Sequence, residues 1–201
     1  MATAALVALG FLCGSIPSGV LLARAAGIDP RREGSGNIGA TNVARTAGLR
    51  LGILTLVADA AKGFLPTVLA RAILPDPGGP ALVAVAAFLG HLFPPTLRFR
   101  GGKGVATALG TALALYPLAT LPTVLAFAGV VAATGWVSLG SMVAACLAPF
   151  LALAFGSPAP HVAAAFAMAA LVVVRHRDNV VRMVRGTEPR ALLKRQALPR
   201  E

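Results

Sequence analysis

"GVATALGTALALYPLATLPTVLAFAGVVAATGWVSLGSMVAACLAPFLALAFGSPAPHVAAAFAMAALVVV", residues 104–174, holds 71 consecutive positions without an Asp, Glu, Lys or Arg. A helix needs about 20 apolar residues to cross a bilayer. Polar and helix-breaking residues divide the stretch at Tyr116-Pro117 with Pro122, at Gly135-Trp136, and at Gly156-Ser157-Pro158 with Pro160. It therefore reads as four crossings, of which those near 104–116 and 120–134 are short or partly re-entrant.

Three further apolar runs precede it. Met1 to Ala23 carries no charge, Leu51 to Ala70 carries only Asp59 and Lys62, and Gly78 to Leu97 has His91 as its one titrating group. The whole chain has 201 residues, is 57% hydrophobic and only 12% charged, and has a mean hydropathy of +0.79. These values place it in the integral membrane class. Its net charge of +11 does not indicate nucleic acid, because 16 of the 18 Lys and Arg fall in three clusters, Arg24 to Arg50, Arg98 to Lys103 and Arg175 to Arg200. Under the positive-inside rule those clusters are cytoplasmic. The predicted architecture is all-α, with seven transmembrane helices, the N-terminus outside and the C-terminus in the cytoplasm. Five crossings plus a re-entrant segment is the alternative. Residues 1–188 form one transmembrane domain and 189–201 a basic cytoplasmic tail. No basic residue precedes the first apolar run, so it reads as a retained helix rather than a cleaved signal. Cys13 and Cys146 lie in apolar runs without metal-ligand spacing, which argues against a disulfide framework or a metal site.

Three polar segments share the predicted cytoplasmic side: "GSGNIGATN" from Gly34, "FRGGKGVAT" from Phe99, and "RHRDNVVRMVRGTE" from Arg175. Gly34, Gly36 and Gly39 match G-x-G-x-x-G, but the strand and βαβ unit that give that pattern meaning are missing. Lys103 is followed by Gly104, which excludes the nucleotide-binding P-loop spacing. Glycines do let backbone N–H groups approach an anion closely, and each loop is expected to lead into an apolar helix whose N-terminus adds partial positive charge. Ser35, Thr41, Arg45 and Lys103 would add side-chain donors. Both loops suit phosphate. His176 and Asn179, three apart on a predicted helix, share a face, and Asp178 with Arg182 would pair on another. Asp59 and Lys62 are expected to pair within the membrane. A Gly-rich loop can equally be a turn, and the C-terminal basic run can be topology signal alone. His91 and His161 read as structural, and Ser138 and Ser141 as polar residues at a helix start.

"GSIPSG" (Gly14 to Gly19), "GSGNIGATNVAR", "DAAKG" (Asp59 to Gly63), "GHLFP" (Gly90 to Pro94), "FRGGKGVATALG" and "HRDNVVRMVRGTE" together resemble, in order and spacing, the bacterial acyl-phosphate:glycerol-3-phosphate acyltransferase family. The resemblance covers nearly the whole chain. It implies a seven-crossing helical fold and transfer of a fatty acyl group from acyl phosphate to glycerol 3-phosphate, giving lysophosphatidic acid in phospholipid synthesis. It implies no cofactor and no metal. Its partners would be the two substrates, membrane lipid and the enzyme that forms acyl phosphate.

The family's essential serine and arginine fall on Ser35 and Arg45, and its glycine-rich substrate motif on Gly101, Gly102, Lys103 and Gly104. Its histidine and asparagine fall on His176 and Asn179, and its structural acidic residue on Glu188. The expected site therefore has Ser35, Lys103, His176 and Asn179 as catalytic residues. Gly34, Gly36, Asn37, Gly39, Thr41, Asn42, Arg45, Gly101, Gly102, Gly104 and Ser141 would bind substrate, with Asp59, Lys62 and Glu188 in support. Arg100 stands where the family usually has lysine. The HxxxxD pattern of acyltransferases that use acyl-CoA or acyl carrier protein is absent, since no histidine is followed by Asp at that spacing. Two other classes are a transporter for an anionic metabolite, which would need a polar path through the crossings, and a structural protein that binds anionic lipid.

Overall fold

The computed structural model describes residues 1–191, and within them the regular structure is helical. The elements are α1 (Ala2–Gly14), α2 (Ser18–Ala25), α3 (Ala40–Thr46), α4 (Leu49–Ile73), α5 (Gly78–Leu92), a 3₁₀ turn (Pro95–Leu97), α6 (Val105–Leu115), α7 (Pro117–Thr134), α8 (Val137–Ala154), α9 (Ala159–Arg175) and α10 (Arg177–Val184). Among the described residues, five spans are long and apolar enough to cross a membrane: α1 with α2, α4, α5 with its 3₁₀ turn, α7 and α8. A sixth appears if α9 and α10, bent by 49° at their joint, count as one. At 11 residues, α6 is shorter than that length. The chain is a multi-pass, all-helical membrane protein. Most of the tail expected at 189–201 lies outside the described residues, but Ala191 donates its N–H to the Gly135 carbonyl at 2.6 Å.

The sequence expectation needs correction at several points. The first crossing is broken between α1 and α2, because Pro17 offers no N–H to continue the ladder. At this break the Ile16 carbonyl, turned out of the α1 ladder, accepts from the Ser18 N–H at 3.0 Å and from Lys62 Nζ at 2.8 Å. Pro122 does not end a helix but lies inside α7, which starts at Pro117. Membrane helices tolerate such an interruption. The loop "GSGNIGATN" leads into the polar seven-residue α3, not directly into an apolar helix.

Helices approach one another closely through glycine. α1 meets α5 where Gly14 faces the Ala87 carbonyl, and α4 meets α6 where Gly110 faces the Ala60 carbonyl. A Cβ at either glycine would collide with that backbone oxygen. In a bilayer, where lipid tails compete equally for apolar side chains, such backbone proximity is a main source of helix association. The Arg71 guanidinium, from α4, donates to the Ala114 carbonyl near the end of α6, so this short helix ends with one of its last acceptors satisfied. Gly110→Ala should therefore lower stability in detergent by about 1–3 kcal/mol through overpacking. Gly129→Ala, on α7 with open space around it, should leave the thermal midpoint unchanged.

Candidate active site

The three polar segments meet at one end of the bundle around a cavity of about 160 Å³. Its wall includes Ser35, Asn37, Gly39, Thr41, Asn42, Arg45, Asp59, Lys103, Gly104, Ser141, His176, Asn179 and Glu188. Gly34, Gly36, Gly101, Gly102 and Lys62 are not on the wall. They sit behind it, and the geometry shows what each does there.

The first loop is organised by Asn42, which is buried. Its Nδ2 donates to the carbonyls of Pro30 (2.9 Å), Glu33 (3.1 Å) and Asn37 (2.9 Å), while its Oδ1 accepts from the Ser35 N–H at 2.8 Å. Gly34 has φ +58°, and a Cβ there would strike Asn42 Oδ1. The Gly39 N–H is taken by Asn37 Oδ1 at 2.8 Å, and that of Gly36 by the Glu33 carbonyl at 3.0 Å. The amides of Ser35, Gly36 and Gly39 are thus spent on the loop itself, contrary to the expected row of free anion-binding N–H groups. Of the residues of this loop and α3 that line the cavity, Ser35, Thr41 and Arg45 bring side-chain donors.

The second loop is held from both sides. The Gly101 and Gly102 N–H groups donate to the Leu92 and His91 carbonyls at 3.0 and 3.2 Å. Their own carbonyls accept from the Arg175 guanidinium, with Nη2 at 2.7 Å from Gly101 and 2.9 Å from Gly102. Gly102 lies so close to the His91 imidazole that any side chain there would collide with Nε2. Gly104 has φ +81° and packs on Phe88 and Leu92. The loop ends at the N-terminus of α6, where Gly104, Val105 and Ala106 face the cavity. This end keeps the geometry of an anion site.

In the third segment Lys103 Nζ donates to Asn179 Oδ1. Asn179 Nδ2 donates to Glu188 Oε1 at 2.6 Å, and Arg182 Nε donates to Glu188 Oε2 at 2.8 Å. The expected Asp178–Arg182 pair does not form. Asp178 lies 3.6 Å from exposed Arg177, because Arg182 shares its helix face with Asn179 and turns toward Glu188. Burial pushes the Lys103 ammonium down to about 8 against the pull of Glu188. Burial also pushes His176 down to about 4; its hydrogen bond to Val172 opposes this and the Lys103 charge adds to it. His176 Nδ1 lies 2.7 Å from the Val172 carbonyl, which can only accept, so neutral His176 carries its proton on Nδ1 and offers Nε2 as an acceptor. Burial would raise the Glu188 carboxyl, but hydrogen bonds from Asn179 and Arg182 hold it below the ordinary carboxylate range.

Sequence reasoning missed His91, Arg182 and Ser138 as parts of the wall. The three-residue spacing of Asn179 and Arg182 was a readable signal for the second. Arg175, taken only as topology signal, clamps the glycine loop. Asp59 and Lys62 pair at 2.8 Å as expected, and His91 Nδ1 lies 3.7 Å from Asp59.

A second, apolar groove of about 480 Å³ adjoins the polar cavity and shares Thr41, Leu56, Val105, Ala106, Phe127 and Val137 with it. The chain is thus a polytopic helical membrane protein in which a cation-lined cavity adjoins an apolar groove. The family model for glycerol-3-phosphate acyltransferase matches residues 4–186, and the chain belongs to that family. It is 48% identical to the glycerol-3-phosphate acyltransferase of Geobacter sulfurreducens, over 92% of this chain and 95% of that protein. It is 51% identical to that of an Anaeromyxobacter species, over 92% and 94%. The fold is also similar to the crystal structure of PlsY (YgiH), an integral membrane glycerol 3-phosphate acyltransferase. The glycerol 3-phosphate form gives a TM-score of 0.91 at 37% identity, covering 94% of this chain and 96% of that one. The lysophosphatidic acid form gives 0.89 at 37% identity, covering 94% and 95%.

Asn42→Ala removes the acceptor of the Ser35 N–H and an amide group whose two hydrogens are shared among three carbonyls. Hydrogen exchange at the Ser35 amide should rise by about tenfold or more, from a loss of about 1–3 kcal/mol. Amides in the middle of α4 should keep their protection.

Proposed function

We propose that this chain transfers a fatty acyl group from acyl phosphate to glycerol 3-phosphate, giving 1-acyl-glycerol 3-phosphate (lysophosphatidic acid) and phosphate. The observation that carries this reading is the shared wall between the cation-lined cavity and the apolar groove. A phosphate head and an acyl tail fill both, with the reactive carbonyl at the junction. Family membership supports it, as does the lysophosphatidic acid form of the solved relative. An anion channel would need a polar path beyond Phe127. There the lining turns to Leu109, Val124 and alanines, with no charged residue, and the Thr120 and Thr123 hydroxyls are spent on backbone carbonyls, so that alternative loses its support.

The glycerol hydroxyl attacks the carbonyl carbon of the mixed anhydride, and the bond from that carbon to the phosphate oxygen breaks. Phosphate leaves with the electron pair and takes up the hydroxyl proton. The donor is already activated, so positioning and charge stabilisation carry the catalysis, without a cofactor, a metal or a covalent intermediate. Lys103, Arg45 and the α6 N-terminus hold the phosphates, with Thr41 and Ser141 on the same wall. Ser35 orients substrate at the oxyanion. Asn179, with both amide atoms engaged by Lys103 and Glu188, aims the ammonium. His176 is too weak a base at about 4 to compete with a phosphate whose second pKa is about 6. It accepts the hydroxyl's hydrogen bond and fixes its direction. The protein sits in the bacterial cytoplasmic membrane with seven crossings, α6 being the short one, the N-terminus outside, and the cavity open to the cytoplasm. It draws its donor from the enzyme that forms acyl phosphate.

Purified protein in detergent should make lysophosphatidic acid from palmitoyl phosphate and not from palmitoyl-CoA. Product from palmitoyl-CoA alone would overturn the donor assignment, and no product from either in folded protein would overturn the activity. Lys103 is a cation below its value of about 8 and neutral above it. The kcat/KM for glycerol 3-phosphate should therefore fall as pH rises through about 8. Lys103→Arg should remove this alkaline limb, because a guanidinium stays charged. Ser35→Ala should lower kcat by about 10²–10³.

A further inference from the structure

Given the proposed function, the acyl tail lies in the apolar groove, and the groove has a floor. On α6 its lining descends from Val105 through Leu109 and Ala112 to Tyr116, about 16 Å along the helix axis. α7 runs the other way and descends from Phe127 through Val124 to Thr120. The facing walls are mostly small residues, Ala144, Ala145 and Ala148 on α8 and Ala165 and Ala169 on α9, with Met168 and Val172 beside them on α9. These leave room for a chain and fix no length.

At the bottom the character changes. Tyr116, only 5% exposed, is the last lining residue of α6 and belongs, with the lining residues Ala112 and Ala165, to a packed cluster that also contains Leu115, Ala119, Ala152 and Val162, none of which lines the groove. Ala119 and Ala152 are fully buried. The ring therefore abuts packed side chains of α7, α8 and α9. The Tyr116-Pro117 break sets the ring there: Tyr116 closes α6 through its N–H to the Ala112 carbonyl at 2.8 Å, and Pro117 begins α7. The only tyrosine in the chain thus sits where the groove stops.

We infer that Tyr116 sets the longest acyl chain this enzyme accepts, as the floor against which the terminal methyl comes to rest. A chain that ends short of the ring loses contact gradually. A chain that is too long must push methylenes out of the groove or move the ring, at about tenfold or more in kcat/KM per methylene. The length profile should then be asymmetric, with a shallow rise and a steep upper edge.

The test measures kcat/KM for glycerol 3-phosphate acylation across a series of saturated acyl phosphates, with wild-type protein and with Tyr116→Ala, Tyr116→Leu and Ala148→Leu. Wild type should show the steep upper edge. Tyr116→Ala and Tyr116→Leu should move it to longer chains, Tyr116→Ala further, and Ala148→Leu, about one turn above the floor, should move it to shorter ones. An edge that stays in place in active Tyr116 variants would overturn the inference. If neither Tyr116 variant yields folded protein, an unmoved edge in Ala148→Leu does the same. Wild-type protein inactive with every acyl phosphate would instead overturn the proposed function.

Discussion

A lysine ammonium half-way along the 25-residue apolar helix α4 has to be answered from within the protein, because an unpaired charge at the bilayer centre costs at least about 3 kcal/mol. Lys62 is answered by Asp59, one turn away, and by the Ile16 carbonyl at the α1–α2 break, which it shares with the Ser18 N–H. The break between α1 and α2 is therefore a membrane-depth acceptor, and the lysine docks α4 against it. Asp59 in turn faces His91 on α5, and the His91 ring supports Gly102. One buried charge thus links the first crossing, α4, α5 and the glycine loop that carries Lys103.

Arg175 completes this arrangement from the opposite side. Its guanidinium stacks near the Phe93 ring at 5.9 Å and takes the Gly101 and Gly102 carbonyls. Gly101 and Gly102 thus lie between His91 and Arg175, and no side chain fits at Gly102. Lys103 follows at the edge of that rigid strip. Arg175 is also the residue before His176, so one segment both clamps the second loop and supplies the third segment's histidine. The convergence of three segments distant in sequence follows from these backbone contacts more than from attraction among the polar side chains themselves.

Much of this was legible in the sequence. Hydropathy with the distribution of Lys and Arg gave the helical membrane class and placed the three polar segments together, because apolar length and charge asymmetry are properties of composition. The Asp59–Lys62 pair could be read because both residues lie on one helix face. What the sequence hid depends on distant backbone. Nothing local announces that Asn42 would gather carbonyls from three positions and leave the glycine amides of its loop internally bonded. Nothing local shows that Arg182 would choose Glu188 over Asp178, since the choice depends on the turn after α10 bringing Glu188 back. Helix ends at proline were equally hard, because Pro17 breaks a helix while Pro66, Pro122 and Pro149 lie inside theirs.

The charges at the site are arranged unequally, and that inequality bears on the proposed transfer. Glu188, with its carboxylate side chain only 5% exposed, is engaged by Arg182 and Asn179. Lys103, by contrast, has only a neutral amide oxygen as its partner among the described residues. Its ammonium is desolvated without being neutralised, which is why its proton is held less tightly than in water. An incoming phosphate meets a cation that has already lost much of its hydration and has no carboxylate to give up. The cost of desolvating Lys103 is met during folding, by the same contacts that fix Gly101 and Gly102, so little reorganisation remains when the substrate's charge arrives. The α6 N-terminus adds its partial charge at the same point. α6 is also the helix whose other end carries Tyr116, so a single short helix spans the distance between the proposed phosphate site and the floor of the acyl groove.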